Sequence, residues 1–171
     1  MKLIILGEGG YGKTIEDVTS QLGKYEDIKF LDDNAAGENI LGKTESFKNL
    51  INDDTEFYPA FGDNELRYNW ILKLDEAGAK IATIIHPSVY VSPKAVIGKG
   101  SAVLPNASIN YGAVITYGCI VNIGAIVDHN VLLGNGAHVC PGAVVKGENL
   151  IPAFMKIESG TVINRAQYPF N

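Results

Sequence analysis

Little in these 171 residues is basic, sulfur-bearing or continuously apolar, and each shortage closes off a class of protein. Lys and Arg number 14 against 19 Asp and Glu, a net charge of −5 with no basic stripe, so nucleic acid is not an expected partner. The longest opening apolar run, Leu3 to Leu6, stops at Gly7. That is too short for a secretory signal or a membrane span, and a cytoplasmic protein without a membrane partner is expected. The two cysteines, Cys119 and Cys140, make no metal or redox motif and no disulfide framework, which fits a reducing compartment.

What the chain does have is a six-residue beat. Ile85, Val91, Ile97, Val103, Ile109, Ile115, Val121, Val127, Leu133, Val139, Val145, Ile151 and Ile157 follow one another at steps of six, all aliphatic. Four residues after most beats the side chain is small, as at Ala95, Ala107, Ala113, Cys119, Ala125, Ala137 and Ala143; Val89, Val131, Asn149 and Met155 break that second rule. Neither a helix of period 3.6 nor an alternating strand has this spacing. A hexapeptide β-helix does, with one flat face and one corner per hexad and three faces per coil. Burying one Val or Ile contributes roughly 1.5–3 kcal/mol. Gly98, Gly100, Gly112, Gly118, Gly124, Gly134, Gly136 and Gly142 are expected at corners that need positive φ. The only histidines, His86, His129 and His138, occupy the second, third and sixth hexad positions and cannot share a corner, so no metal is expected.

Residues 1–84 read as a small Rossmann-like α/β domain and residues 85–171 as the β-helix with a short tail from Ile163. The strand Lys2–Leu6 leads through Gly7-Glu8-Gly9-Gly10-Tyr11-Gly12 into a helix over Lys13–Leu22. This compressed glycine pattern has two readings, a phosphate loop at a helix N-terminus or a tight strand-to-helix turn. Asp32 and Asp33 end a second strand, where acids either meet a ribose or base or terminate the strand. A third strand is expected at Phe57–Phe61, a helix at Glu65–Ala77 with Leu66, Trp70 and Leu74 on its apolar side, and a fourth strand at Lys80–Ile84.

The segments GEGGYGK, FLDD, FGDNELR, IHPSVYVSPKAVIGKG and, above all, NIGAIVDHNVLLGNGAHVCPGAVVKG resemble the NeuD/PglD-type acetyltransferases. These are sialic-acid O-acetyltransferases and nucleotide-amino-sugar N-acetyltransferases. The resemblance implies a left-handed parallel β-helix, a homotrimer, and acetyl-CoA as co-substrate in a groove between neighbouring β-helices. It implies a nucleotide sugar, or a related sugar, as acceptor, its nucleotide held by the N-terminal domain. His129 matches the general base, and Asn122 the asparagine near the acceptor group. His138 matches a histidine at the acetyl-CoA pocket, and Gly142 and Gly147 fall with it. Gly9 and Gly10 match the phosphate loop, Asp32 and Asp33 the acids near the base, and Tyr11 and Asn64 complete the expected substrate contacts.

Three positions depart from the family. Asn130 stands where an acid usually follows the catalytic histidine. Tyr11 replaces the histidine of the glycine loop. Past Gly147 the family continues through several more coils, where this chain shows about two irregular hexads and a tail. The departures leave a second reading: a catalytically weakened trimeric scaffold that binds nucleotide sugar or CoA.

Overall fold

The structure, a computed structural model, describes residues 1–170 and falls into two compact units, one ending at Ala82 and one beginning at Thr83. In the first, β1 (Lys2–Leu6), β2 (Asp27–Leu31), β3 (Thr55–Pro59) and β4 (Lys80–Ile81) form a parallel sheet in the order β2-β1-β3-β4. Leu3, Ile4, Ile5 and Leu6 are all fully buried, because a central parallel strand is covered on both faces and so reads as an unbroken apolar run. Helix α1 spans Gly10–Ser20, starting inside the glycine loop, three residues before its expected position. Helix α2 spans Asn64–Glu76, capped by Asp63, whose Oδ1 accepts the Leu66 N–H at 2.7 Å.

The buried face of α2 corrects the sequence reading. It carries Arg67, Ile71 and Leu74, while Leu66 is 44% exposed. A charged residue in the inward stripe shifted the apparent apolar face by one position. The fully buried Arg67 donates from Nη1 to Phe61 O (2.9 Å) and from Nη2 to Asn64 Oδ1 (2.8 Å). The fourth strand is also shorter than expected: Lys80–Ile81 pairs with β3, whereas Ile84–Ile85 pairs with Ala102–Val103 in the second unit.

The second unit is a parallel β-helix. Two-residue strands stack into three sheets, and every paired residue lies eighteen positions from its partner, as in Val103↔Val121↔Val139↔Ile157. The beat residues from Val103 to Ile163 are buried in one continuous core, with Ala107, Ala113, Ala125, Ala137 and Ala143 filling the second inward column. The third residue after each beat has positive φ throughout residues 100–166. Gly fills this corner at Gly112, Gly124 and Gly142, but Asn106, Asn130, Glu148, Phe154 and Ala166 adopt it without being Gly. Gly98 and Gly134, also expected to be positive-φ corners, are not. Each follows a beat directly, and an added Cβ would lie 2.8 Å from Thr116 O or 2.6 Å from Ala153 N, so close approach of the next coil excludes a side chain there.

The repeat outlasts the expected tail. Val162–Ile163 pairs with Val144–Val145, placing Ile163 in the core as a further beat. Beyond it the chain covers the last coil: Leu150 N donates to Tyr168 O at 2.7 Å, and Tyr168 packs against the core. Asn149, an exception to the small-residue rule, is fully buried for this purpose. Its Nδ2 donates to Lys146 O (2.7 Å) and Asn164 O (2.9 Å), and its Oδ1 accepts Tyr168 N–H (2.8 Å).

Gly124→Ala isolates the corner requirement, since its φ is +64° and no atom lies within 4 Å of an added Cβ. The expected loss is about 1–2 kcal/mol, all from the backbone, read as a lower urea midpoint at unchanged m-value.

Candidate active site

The eighteen-residue period decides what surrounds each corner residue. Above His129 lies Gly147, and below it Tyr111; Asp128 is flanked by Asn110 and Lys146, and Asn130 by Gly112 and Glu148. A Cβ on Gly147 would stand 2.6 Å from both Cε1 and Nε2 of His129, so the missing side chain is the space the imidazole fills. The His129 side chain remains 38% exposed.

Asp128 turns toward this ring. Its Oδ1 accepts the His129 backbone N–H at 2.7 Å and the Asn110 Nδ2 at 2.9 Å, and its Oδ2 lies 4.0 Å from His129 Nε2. Partial burial works to raise the pKa of this carboxyl. The His129 N–H, the Asn110 amide, the imidazole and the Gly147 N–H outweigh that and hold it below the usual carboxylate range. On the other side of the ring, Asn130 Nδ2 lies 3.5 Å from His129 Nδ1.

Asn122 and His138 come together at a different edge of the prism. Asn122 Nδ2 is 3.1 Å from His138 Nε2, and Asn122 Oδ1 accepts the Ile123 N–H at 2.8 Å. Gly142 shares this edge, one coil above Gly124, with open space around it. The chain therefore divides the β-helix site residues in two: Asn122, His138 and Gly142 follow or occupy one sheet, while His129 and Gly147 follow the next. Cys119 is buried in the core, and burial raises the thiol pKa of Cys140.

In the first unit, the glycine loop, the end of β2 and the start of α2 gather at the carboxyl ends of the strands, where the order reverses beside β1. Gly9 caps α1 with no side chain, and an added Cβ at Gly9 or Gly10 would meet nothing within 4 Å. Asp32 Oδ2 accepts the Glu8 N–H at 2.8 Å, and Oδ1 accepts those of Asn34 (2.8 Å) and Ala35 (2.9 Å). These amides, that of Glu8 first, lower its pKa. Asp33 Oδ1 accepts the Thr44 N–H at 2.9 Å. Both acids thus organise the loops of this crevice. Tyr11 bonds its hydroxyl to that of Tyr58 at 2.7 Å, and burial raises its pKa. Asn64, at the start of α2, accepts from the buried Arg67. Sequence reading missed Arg67, Asn110 and the service Gly147 gives to His129. Spacing by eighteen would have found the last two.

Among the described residues, no group of three or more His, Cys, Asp or Glu side chains is placed to hold a metal, and no helix is long and apolar enough to cross a membrane.

An α/β unit followed by a left-handed hexapeptide β-helix, with an open histidine at a corner, defines a two-part hexapeptide-repeat protein. The chain belongs to the NeuD/PglD-type sugar acetyltransferase family. Residues 2–74 match the family described as PglD N-terminal domain. The acetyltransferase domain of PglB from Neisseria gonorrhoeae FA1090 is 34% identical, with a TM-score of 0.93 over 96% of this chain and 82% of that one. The same domain has been solved with acetyl coenzyme A (TM-score 0.92). UDP-N-acetylbacillosamine N-acetyltransferase from Bacillus subtilis (strain 168) is 31% identical over 107 residues, 58% of this chain and half (50%) of that protein's length. PerB from Caulobacter crescentus, 24% identical with a TM-score of 0.73 over 96% of this chain and 92% of that one, shares the fold.

Asp32→Ala tests the loop anchor. With its pKa lowered in the folded state, Asp32 contributes stability above the ordinary carboxylate range, and that stability is lost as pH falls through the lowered value. The variant is expected to be about 0.5–1.5 kcal/mol less stable at pH 7, since solvent screens the partly exposed carboxylate. Its gap to the unsubstituted protein should close in acid, as followed by urea melts across pH; a gap independent of pH would deny the carboxylate this part.

Proposed function

We propose that this chain is an acetyl-CoA-dependent acetyltransferase that acetylates the amino group of a nucleotide-linked sugar, with His129 as general base. The observation that carries the reading is the corner imidazole set over Gly147, partly open and flanked by an anionic carboxylate, in a chain 34% identical to a domain solved with acetyl coenzyme A. The name of the Bacillus relative supports the amine acceptor.

The residues fit this chemistry. An acyl thioester, when bound, supplies a carbonyl carbon and a thiolate leaving group. His129 would take one proton from the attacking amine as its nitrogen bonds the carbonyl carbon, and the imidazolium would return that proton to the departing sulfur. Imidazole suits the task because its ordinary titration range lies near neutrality. Asn122 and His138 form the polar pair that would orient sugar and acyl groups. In the first unit, Gly9, Gly10, Tyr11, Asp32, Asp33 and Asn64 would serve the nucleotide.

A homotrimer belongs to the same reading. Tyr111 and Tyr117, more than half exposed, and Ile123, 47% exposed, stand one on each of the three prism edges, and exposed Ile126 and Val162 lie together on one sheet. A neighbouring copy would bring an Asn122–His138 edge against a His129 corner. Cys119 and Cys140, not joined as a disulfide, agree with a cytoplasmic setting.

Thiol release from acetyl-CoA in the presence of UDP- and GDP-linked amino sugars, with the product weighed by mass spectrometry, tests the activity. His129→Ala is expected to lower kcat by about 10²–10⁴-fold with an unchanged melting temperature. Turnover that survives this change would remove His129 from the mechanism. Binding of CoA without turnover by the unsubstituted protein would instead favour the scaffold reading.

A further inference from the structure

The residue after His129 is an amide where the resembled family carries an acid, and the surrounding contacts point to how the chain manages without it. Two carboxylates approach this corner. Glu148, one coil above Asn130, has both oxygens taken by Arg165, with Nε at 3.0 Å and Nη2 at 2.6 Å. Asp128 accepts the His129 N–H and the Asn110 amide at Oδ1, and its Oδ2 lies 4.0 Å from His129 Nε2. The imidazole therefore has an anion beside Nε2 and the amide nitrogen of Asn130, a donor, beside Nδ1 at 3.5 Å. An anion favours a ring N–H, and a donor favours a ring lone pair. The two contacts select one and the same tautomer.

We infer that Asp128 and Asn130 are positioning residues that divide the work of the missing acid. Asp128 keeps the proton on Nε2 and compensates the charge of the imidazolium, while Asn130 holds Nδ1 as the lone-pair nitrogen at rest, and its exposed amide turns aside to open that lone pair to the amine proton. This rests on the acetyltransferase reading for its use, but the tautomer exists independently of it. In the reaction, the amine proton passes to Nδ1 as the C–N bond forms. The imidazolium, held beside Asp128, then returns that proton to sulfur as the C–S bond breaks. Asn110 serves the arrangement one step removed, by fixing Asp128 Oδ1 from the coil below. Gly147 serves it by leaving the ring its place.

Long-range ¹H–¹⁵N correlation spectra of protein labelled at histidine, recorded above neutral pH, read the tautomer directly; the signal absent from His129→Gln identifies the ring. The expected pattern is a proton on Nε2 in the unsubstituted protein and a mixture of tautomers in Asp128→Asn, which keeps the side chain's shape and its acceptor at Oδ1. In the transfer assay, Asp128→Asn should lower kcat about tenfold at unchanged KM for acetyl-CoA, as for one partly exposed charge lost beside a base. A proton found on Nδ1 in the unsubstituted protein overturns the inference even if the variant folds poorly, and so does a tautomer that Asp128→Asn leaves unchanged. Absence of turnover with the Nε2–H tautomer intact would sink the proposed activity and leave the tautomer assignment standing.

Discussion

Everything in the second unit depends on one steric demand, that each coil place three aliphatic side chains in register with those of the coils on either side. A slip of one residue in any coil would turn its Val, Ile or Leu to the outside and its polar neighbours into the core, so the register is fixed at eighteen. The corners inherit that register without contributing to it. A corner residue's neighbours in space are those eighteen positions away, whatever their chemistry, and this is what sets His129 over Gly147 and Asp128 against Asn110.

The same geometry constrains the chemistry available at a corner. The third residue after each beat takes a left-handed conformation, which disfavours most side chains and which Asn tolerates because its short amide bonds locally. The residue following a corner histidine is such a position. Asn130, at φ +53°, satisfies the backbone demand and still reaches the ring. An acid at the equivalent place one coil on, Glu148 at φ +62°, is held by Arg165. Moving the carboxylate to the near side of the histidine, at Asp128, separates the electrostatic requirement from the conformational one.

The fold was largely legible because its cause is repeated: one aliphatic in six says the same thing thirteen times. Features that occur once were not. Gly98 and Gly134 looked like corner glycines, but their reason is a neighbouring coil's backbone, invisible without the stacking. Leu66 shares helical spacing with Trp70 and Leu74, yet Arg67 takes the inward place beside it, where its guanidinium finds carbonyl and amide oxygens. The tail hid its role because Asn149 is polar, and only its four hydrogen bonds show why a buried amide is tolerated there. Of the candidate site, His129, Asn122 and His138 are named by the family motif alone. The pairing of Asn122 with His138 is not legible, since sixteen residues separate them and no repeat of six or eighteen predicts it.

That pairing also bears on how the proposed site would be assembled. A prism of three sheets repeats its contacts only along its axis, so residues that leave different sheets stay on different edges however many coils are added. Asn122 leaves the sheet containing Ile120–Val121 and His129 the sheet containing Ile126–Val127. No change of length at either end of the solenoid could move them onto one edge. An acceptor that meets both the Asn122–His138 pair and the His129 imidazole must either wrap around the prism or lie between two prisms. The exposed tyrosines and aliphatics at the corners would give the second arrangement a contact surface. On the proposed function, acetyl transfer that uses both would then belong to an assembly, with each chain supplying half of two sites.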